Sequence, residues 1–105
     1  MIRIYQIDLD KDKHGAAFMG SAWYERHNKS IDFATYELVY EGSPGCNNLE
    51  EIYHRFNVMH PIDYKGHSLS VSDIVELVGG DSSEYWFCDS FGWKQLEMNF
   101  KFKEE

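Results

Sequence analysis

The sequence predicts an α+β fold: a single domain, residues 1–105, in which an antiparallel sheet packs against one main helix at about residues 48–56. Three observations carry that expectation. Short runs rich in β-branched and aromatic residues are separated by turn-forming clusters, one segment repeats apolar residues at helical spacing, and the length suits one self-supporting core. Apolar residues form 43% of the chain and aromatics 16%, which separates it from sequences too polar to collapse. No repeat, low-complexity tract or linker divides it.

At the start, Ile2, Ile4 and, less cleanly, Gln6 alternate with Arg3, Tyr5 and Ile7 in an opening strand, followed by the polar turn KDKHG at 11–15. The segment AAFMGSAWYERHNK, residues 16–29, sets Phe18, Ala22 and Trp23 at helical spacing and reads as a short helix weakened by Gly20. IDFATYELVYEG at 31–42 is a second strand, with Tyr36, Leu38 and Tyr40 on one face and Glu37, Val39 and Glu41 on the other. Beyond the loop SPGCNN, Asn48 is placed to cap a helix whose Leu49, Ile52, Tyr53 and Phe56 share one face. Glu50 and Glu51 in its first turn and Arg55 near its end suit the helix dipole. NVMHPIDYKGHS at 57–68 lacks periodicity and needs anchoring elsewhere. Ile74–Val78 and SEYWFCDS at 83–90 form a hairpin about Gly79-Gly80-Asp81, and FGWKQLEMNFKF at 91–102 supplies a final strand or two.

Composition narrows the function. Eighteen acidic against ten basic residues give a net charge of −8, and no stripe of lysine and arginine suited to phosphate is present, so direct nucleic-acid binding is disfavoured. An acidic surface instead suits a basic groove on another protein. No apolar run is long enough to cross a bilayer and the first residues lack a secretory pattern, so the expected location is cytoplasmic, with no membrane partner. Cys46 and Cys88 are then expected as reduced thiols.

Three patterns invite chemical readings. His67, Ser68, Ser70, Ser72 and Asp73 have the composition of a hydrolase, yet in an extended chain the serines face away from the histidine and aspartate. If the segment turns, Ser70 and Asp73 form a capping arrangement that satisfies backbone groups. Cys46, His54, His60, His67 and Cys88 are of metal-ligating type, but their spacing matches no short ligand pair, so neither a metal nor another cofactor is expected. Asp8, Asp10 and Asp12, on a continuing strand, would share one face at about 6.8 Å intervals, comparable to successive phosphates, although Lys11 and Lys13 interrupt the row. Tyr85, Trp86, Phe91 and Trp93 lack the accompanying cations of a base-stacking platform and are assigned to the core.

The phrases IYQI at 4–7, YELVYEG at 36–42, LEEIYHRFN at 49–57, HPIDYKGHSLSVSDIVEL at 60–77 and YWFCDSFGW at 85–93, in that order, resemble the YodL-like family of small domains. The resemblance is weak across 10–33. It implies carriage on conjugative and other mobile elements of gut Firmicutes and related bacteria, and no enzymatic activity that maps to particular positions. The family's distinctive residues here, among them His60, Gly66, His67, Asp73, Asp89 and Gly92, are expected to shape loops: Asp89, Ser90 and Gly92 as a turn closing the sheet, with Asp73 tying a loop to it.

In size and charge the chain is also similar to anti-CRISPR proteins that inhibit Cas9. That likeness implies a non-enzymatic counter-defence protein that binds a Cas9-type nuclease or its guide complex through Asp8, Asp10, Asp12, Glu37, Glu41, Glu50 and Glu51. Two alternatives stand beside it: an adaptor module of a conjugative element that binds through an aromatic surface, and a metal-dependent or hydrolytic enzyme using His60, His67 and Asp73.

Overall fold

The computed structural model describes residues 1–103. Five strands, β1 (Ile2–Ile7), β2 (Tyr36–Gly42), β3 (Ile74–Val78), β4 (Ser83–Cys88) and β5 (Trp93–Leu96), form one antiparallel sheet in the order β2-β1-β3-β4-β5. The main helix, α2 (Leu49–Val58), follows β2, and a short helix, α1 (Ser21–Arg26), lies between β1 and β2. The radius of gyration, 13.1 Å, is that of a single packed domain of this length.

The sheet is buried on both faces. On one, Ile2, Ile4, Tyr40 and Val75 pack against Ile52 and Phe56 of α2. These helix residues are the apolar stripe expected from the sequence, and the cap is as expected: the Asn48 side chain accepts from the Glu51 N–H at 2.9 Å, while Glu51 reaches back to the Asn47 N–H. On the other face, Ile7, Tyr36, Ile74, Phe87 and Leu96 pack against Tyr24 of α1, Ile31 and a run of aromatics, with Phe33 stacked on Phe100 at 4.1 Å. One polar group is embedded here. Glu76, buried in β3, is held by Arg3 at 3.1 Å and by the Tyr5 hydroxyl at 2.7 Å. Burial pushes its carboxyl up, but hydrogen bonds from Ser83, Tyr5 and Arg3 outweigh that and hold it below the usual range.

The expected faces of β2 are corrected by a bulge. The register pairs Tyr5 with Leu38 but Ile4 with Tyr40, so Val39 is an extra residue and the alternation slips by one. Val39 and Tyr40 are therefore both buried, and Leu38, expected beside Tyr36 and Tyr40, is 50% exposed. The Lys65 N–H donates to the Val39 carbonyl at 3.2 Å, which anchors the long connection to this outer edge.

The short helix also departs from expectation. It begins only after Gly20, and its buried apolar residue is Tyr24; Phe18 lies outside it with φ of +68°. Gly20 supplies no cap of its own. Asp89, from the turn joining β4 to β5, accepts the Ser21 N–H at 2.9 Å and the Ser21 hydroxyl, and a Cβ on Gly20 would lie 2.7 Å from that carboxylate. At the other end, Asn28 takes the left-handed conformation, φ +52°, and the Asn28 and Lys29 amides close back onto Glu25 and Tyr24. Asp89→Ala is expected to cost about 1–2 kcal/mol in urea unfolding, the scale of a lost helix cap, with weakened exchange protection confined to α1 and the β4–β5 turn.

Candidate functional site

The richest meeting of polar side chains lies where the end of β1 passes beneath the loop 64–73. Gln6 occupies a buried-face position of β1, in line with Ile2 and Ile4. Its Nε2 lies 2.9 Å from Asp73 Oδ2, 2.8 Å from the Tyr64 hydroxyl and 2.9 Å from the His67 carbonyl, while its Oε1 accepts the His67 N–H at 3.2 Å. An amide nitrogen carries two hydrogens, so these three acceptors share two bonds. Tyr64 in turn donates to the His67 carbonyl. Gly66 leaves room for this packing: a Cβ there would lie 2.2 Å from Gln6 Oε1.

This geometry settles how the HSLSVSD segment is arranged. The chain turns rather than extends before β3 begins at Ile74, so the capping arrangement holds and the strand alternation does not. Asp73 Oδ2 accepts the Ser70 N–H at 2.8 Å, and the Asp73 N–H donates to the Ser70 carbonyl at 3.1 Å. Asp73 is 1% exposed. Burial pushes its carboxyl up to about 7, against the lowering effect of hydrogen bonds from Ser70 and Gln6. Backbone bonds join the loop to the end of β4, Ser72 N–H to the Cys88 carbonyl at 2.9 Å and Cys88 N–H to the Asp73 carbonyl at 2.8 Å.

His67 and Asp73 thus meet through Gln6 and not directly. Nδ1 of His67 lies 2.6 Å from the Ser68 carbonyl and must carry a proton to bond there, so it accepts nothing from Gln6 at 3.3 Å. His60 contacts the Ser68 hydroxyl at 3.3 Å. Ser72 has φ of +84°, its carbonyl fixed by the Tyr36 hydroxyl at 2.7 Å, and its side-chain oxygen accepts from Phe18, the other left-handed residue at this junction. The Phe18 ring packs against His67, with centroids 5.3 Å apart.

Gln6, Gly66 and His67 also line an open hollow of about 400 Å³ whose other walls include Asp8, Asp10, Glu37 and Lys65. Three of the seven proposed contact carboxylates therefore share one concavity. Carboxylates around such a hollow suit a guanidinium or ammonium group and disfavour phosphate.

The remaining acidic residues are placed differently. The row expected for Asp8, Asp10 and Asp12 does not form, because β1 ends at Ile7 and the chain turns: Asp8 accepts the Asp10 N–H at 3.0 Å, and Asp12 accepts the Ala16 and Ala17 amides at 2.8 and 2.9 Å. Glu41 is paired with Arg3, and Glu51 belongs to the helix cap. Glu50 is exposed beside it.

Among the described residues, no group of three or more histidine, cysteine, aspartate or glutamate side chains is arranged to hold a metal ion. Cys46 and Cys88 are free thiols, and burial pushes Cys88 up to about 12. Tyr85 and Trp93 pack against the core as expected, but Trp86, half-buried, joins neither core cluster, and Phe91, also assigned to the core from sequence, is 98% exposed at the tip of the β4–β5 turn. No helix of the described residues is long and apolar enough to cross a membrane.

Neither a curated protein nor a solved structure matches the chain. The model of one protein family, the YodL-like domain, matches residues 1–100.

Proposed function

The chain belongs to the YodL-like family, and from that membership and its acidic surface we propose a non-enzymatic interaction protein of mobile elements that acts in the cytoplasm on a nucleic-acid-handling protein. The partner proposed is a Cas9-type nuclease or its guide complex, inhibited by occupation of its basic groove. The observation that supports this reading is the hollow shared by Asp8, Asp10 and Glu37. Arginine and lysine side chains that otherwise hold phosphate would find carboxylates there. Glu50 extends the acidic surface elsewhere, whereas Asp12, Glu41 and Glu51 are engaged within the fold and contribute charge more than contact.

The test is charge reversal read by binding to the purified nuclease–guide complex across a salt series. Asp8→Lys/Asp10→Lys/Glu37→Lys is expected to weaken binding about tenfold or more and to flatten its salt dependence. Because the Asp8 carboxylate organises its own turn, Glu37→Lys alone provides the control for folding and should move in the same direction. Unchanged affinity and salt slope in both variants would sink the proposal.

One observation favours a second reading, the adaptor module, though through an aliphatic surface and not the aromatic one expected from sequence. Val58, Met59 and Ile62 are all exposed where α2 gives way to the long connection. Binding through that apolar tip would survive the charge reversals and be insensitive to salt.

A further inference from the structure

Beside Asp12, a cavity of about 220 Å³ opens between the turn after β1, helix α1 and the segment before β2. Its walls include Trp23 and Tyr24, the small residues Ala16 and Ala34, and the basic residues Lys11, Lys13, His14 and Lys29. Three of the chain's ten lysines and arginines thus gather at one cavity of a protein whose net charge is −8. The fold places them there deliberately in the physical sense. Asp12 fixes the 12–17 turn through two backbone amides, and the left-handed Asn28 brings Lys29 back over Tyr24.

The local charge is only partly offset from within. Asp12 and Asp32 line the same cavity and keep their charge while accepting the Ala16, Ala17 and Ala34 amides, so against three lysines they leave one net positive charge. Among the described residues, the ion pairs are those of Arg3 with Glu41 and Glu76, so none of the three lysines is paired. Trp23 is half-buried, its indole edge-on to Tyr24 with centroids 5.1 Å apart, which leaves a rigid aromatic wall under the cationic rim.

We propose that this cavity is a binding site for a small planar anion, one aromatic ring carrying a phosphate or a carboxylate. The volume is below the roughly 300–1,000 Å³ of drug-sized sites, which limits the ligand to about one ring and one anionic group. The ring lies against Trp23 and Tyr24, and the lysines take the anion as mobile point charges. The inference does not depend on the partner proposed for the acidic hollow.

Phenyl phosphate and benzoate are the probes, titrated into the whole chain and followed by the Trp23 indole signal and the backbone amides of Ala16 and Ala34 in heteronuclear NMR. Saturable shifts centred on those three residues are expected from at least one probe, and whichever binds more tightly identifies the anion. Benzyl alcohol and inorganic phosphate, each carrying half of the chemistry, should bind about tenfold more weakly. Lys11→Glu/Lys29→Glu changes two exposed side chains and should leave thermal unfolding unaltered while weakening binding about tenfold. Shifts that never saturate, that centre elsewhere, or that persist undiminished in the charge-reversed variant would overturn the proposal.

Discussion

Gln6→Leu is expected to destabilise the fold by about 2–3 kcal/mol, although it replaces a polar residue with an apolar one in a buried strand position. Leucine fits the alternation set by Ile2 and Ile4, but it takes a partner from the Asp73 carboxylate, the Tyr64 hydroxyl and the His67 N–H. Asp73 keeps only the Ser70 N–H and carries most of the cost, about 1–3 kcal/mol for a buried charged acceptor, whereas Tyr64 keeps the His67 carbonyl and His67 is exposed to water. Urea unfolding should show a lower midpoint at an unchanged slope, and the amides of residues 64–73 should lose exchange protection. A loss below about 1 kcal/mol with that loop intact would mean that the contacts around Gln6 are replaceable by water.

The same residue marks the boundary of what is legible in the sequence. Helix α2 could be read because its apolar spacing and its Asn48 cap are both local, and the β3–β4 hairpin because Gly79 and Gly80 interrupt two strand-like runs. The local half of the buried polar cluster, Asp73 capping Ser70, could be read, and Gln6 carried a sign of the rest: a carboxamide where the period of β1 demanded an apolar side chain. Its partners lie 58 to 67 positions away, so no spacing rule connects them. The faces of β2 were misread for a related reason, since a bulge is a property of the pairing between two strands, and β2 alone gives no notice of Val39 as the extra residue. The aspartate row failed because turn formation by short carboxylates competed with strand continuation, and Asp8 and Asp12 each found backbone amides to accept. What survived of that idea is the meeting of Asp8 and Asp10 with Glu37, which needed the β1–β2 pairing to become visible.

Asp73 should give the fold a pH dependence of unusual sign. In the unfolded chain its carboxyl ionises near the ordinary value of 3.8, whereas in the folded protein burial holds the proton up to about 7. Between those values the folded state binds more protons than the unfolded one, so stability falls as pH rises from about 4 to 7 and levels off above. At about 1.4 kcal/mol per pK unit, the loss across the whole window is at most about 4.5 kcal/mol. Glu76 and Asp89 act oppositely: hydrogen bonds overcome burial and hold both below their usual values, so their contributions disappear only on acidification below about pH 4. Their effect therefore does not mask the window belonging to Asp73. Urea unfolding at intervals from pH 4.5 to 7.5 should show this decline in the natural chain and a nearly flat profile in Asp73→Asn, whose amide retains an acceptor oxygen for the Ser70 N–H. Gln6→Leu should shift the upper limit of the window to higher pH, because it removes one of the two hydrogen bonds that favour the carboxylate. Parallel pH profiles for the natural chain and Asp73→Asn would show that Asp73 is hydrated in solution, and would remove the basis for treating it as the buried anchor of the loop.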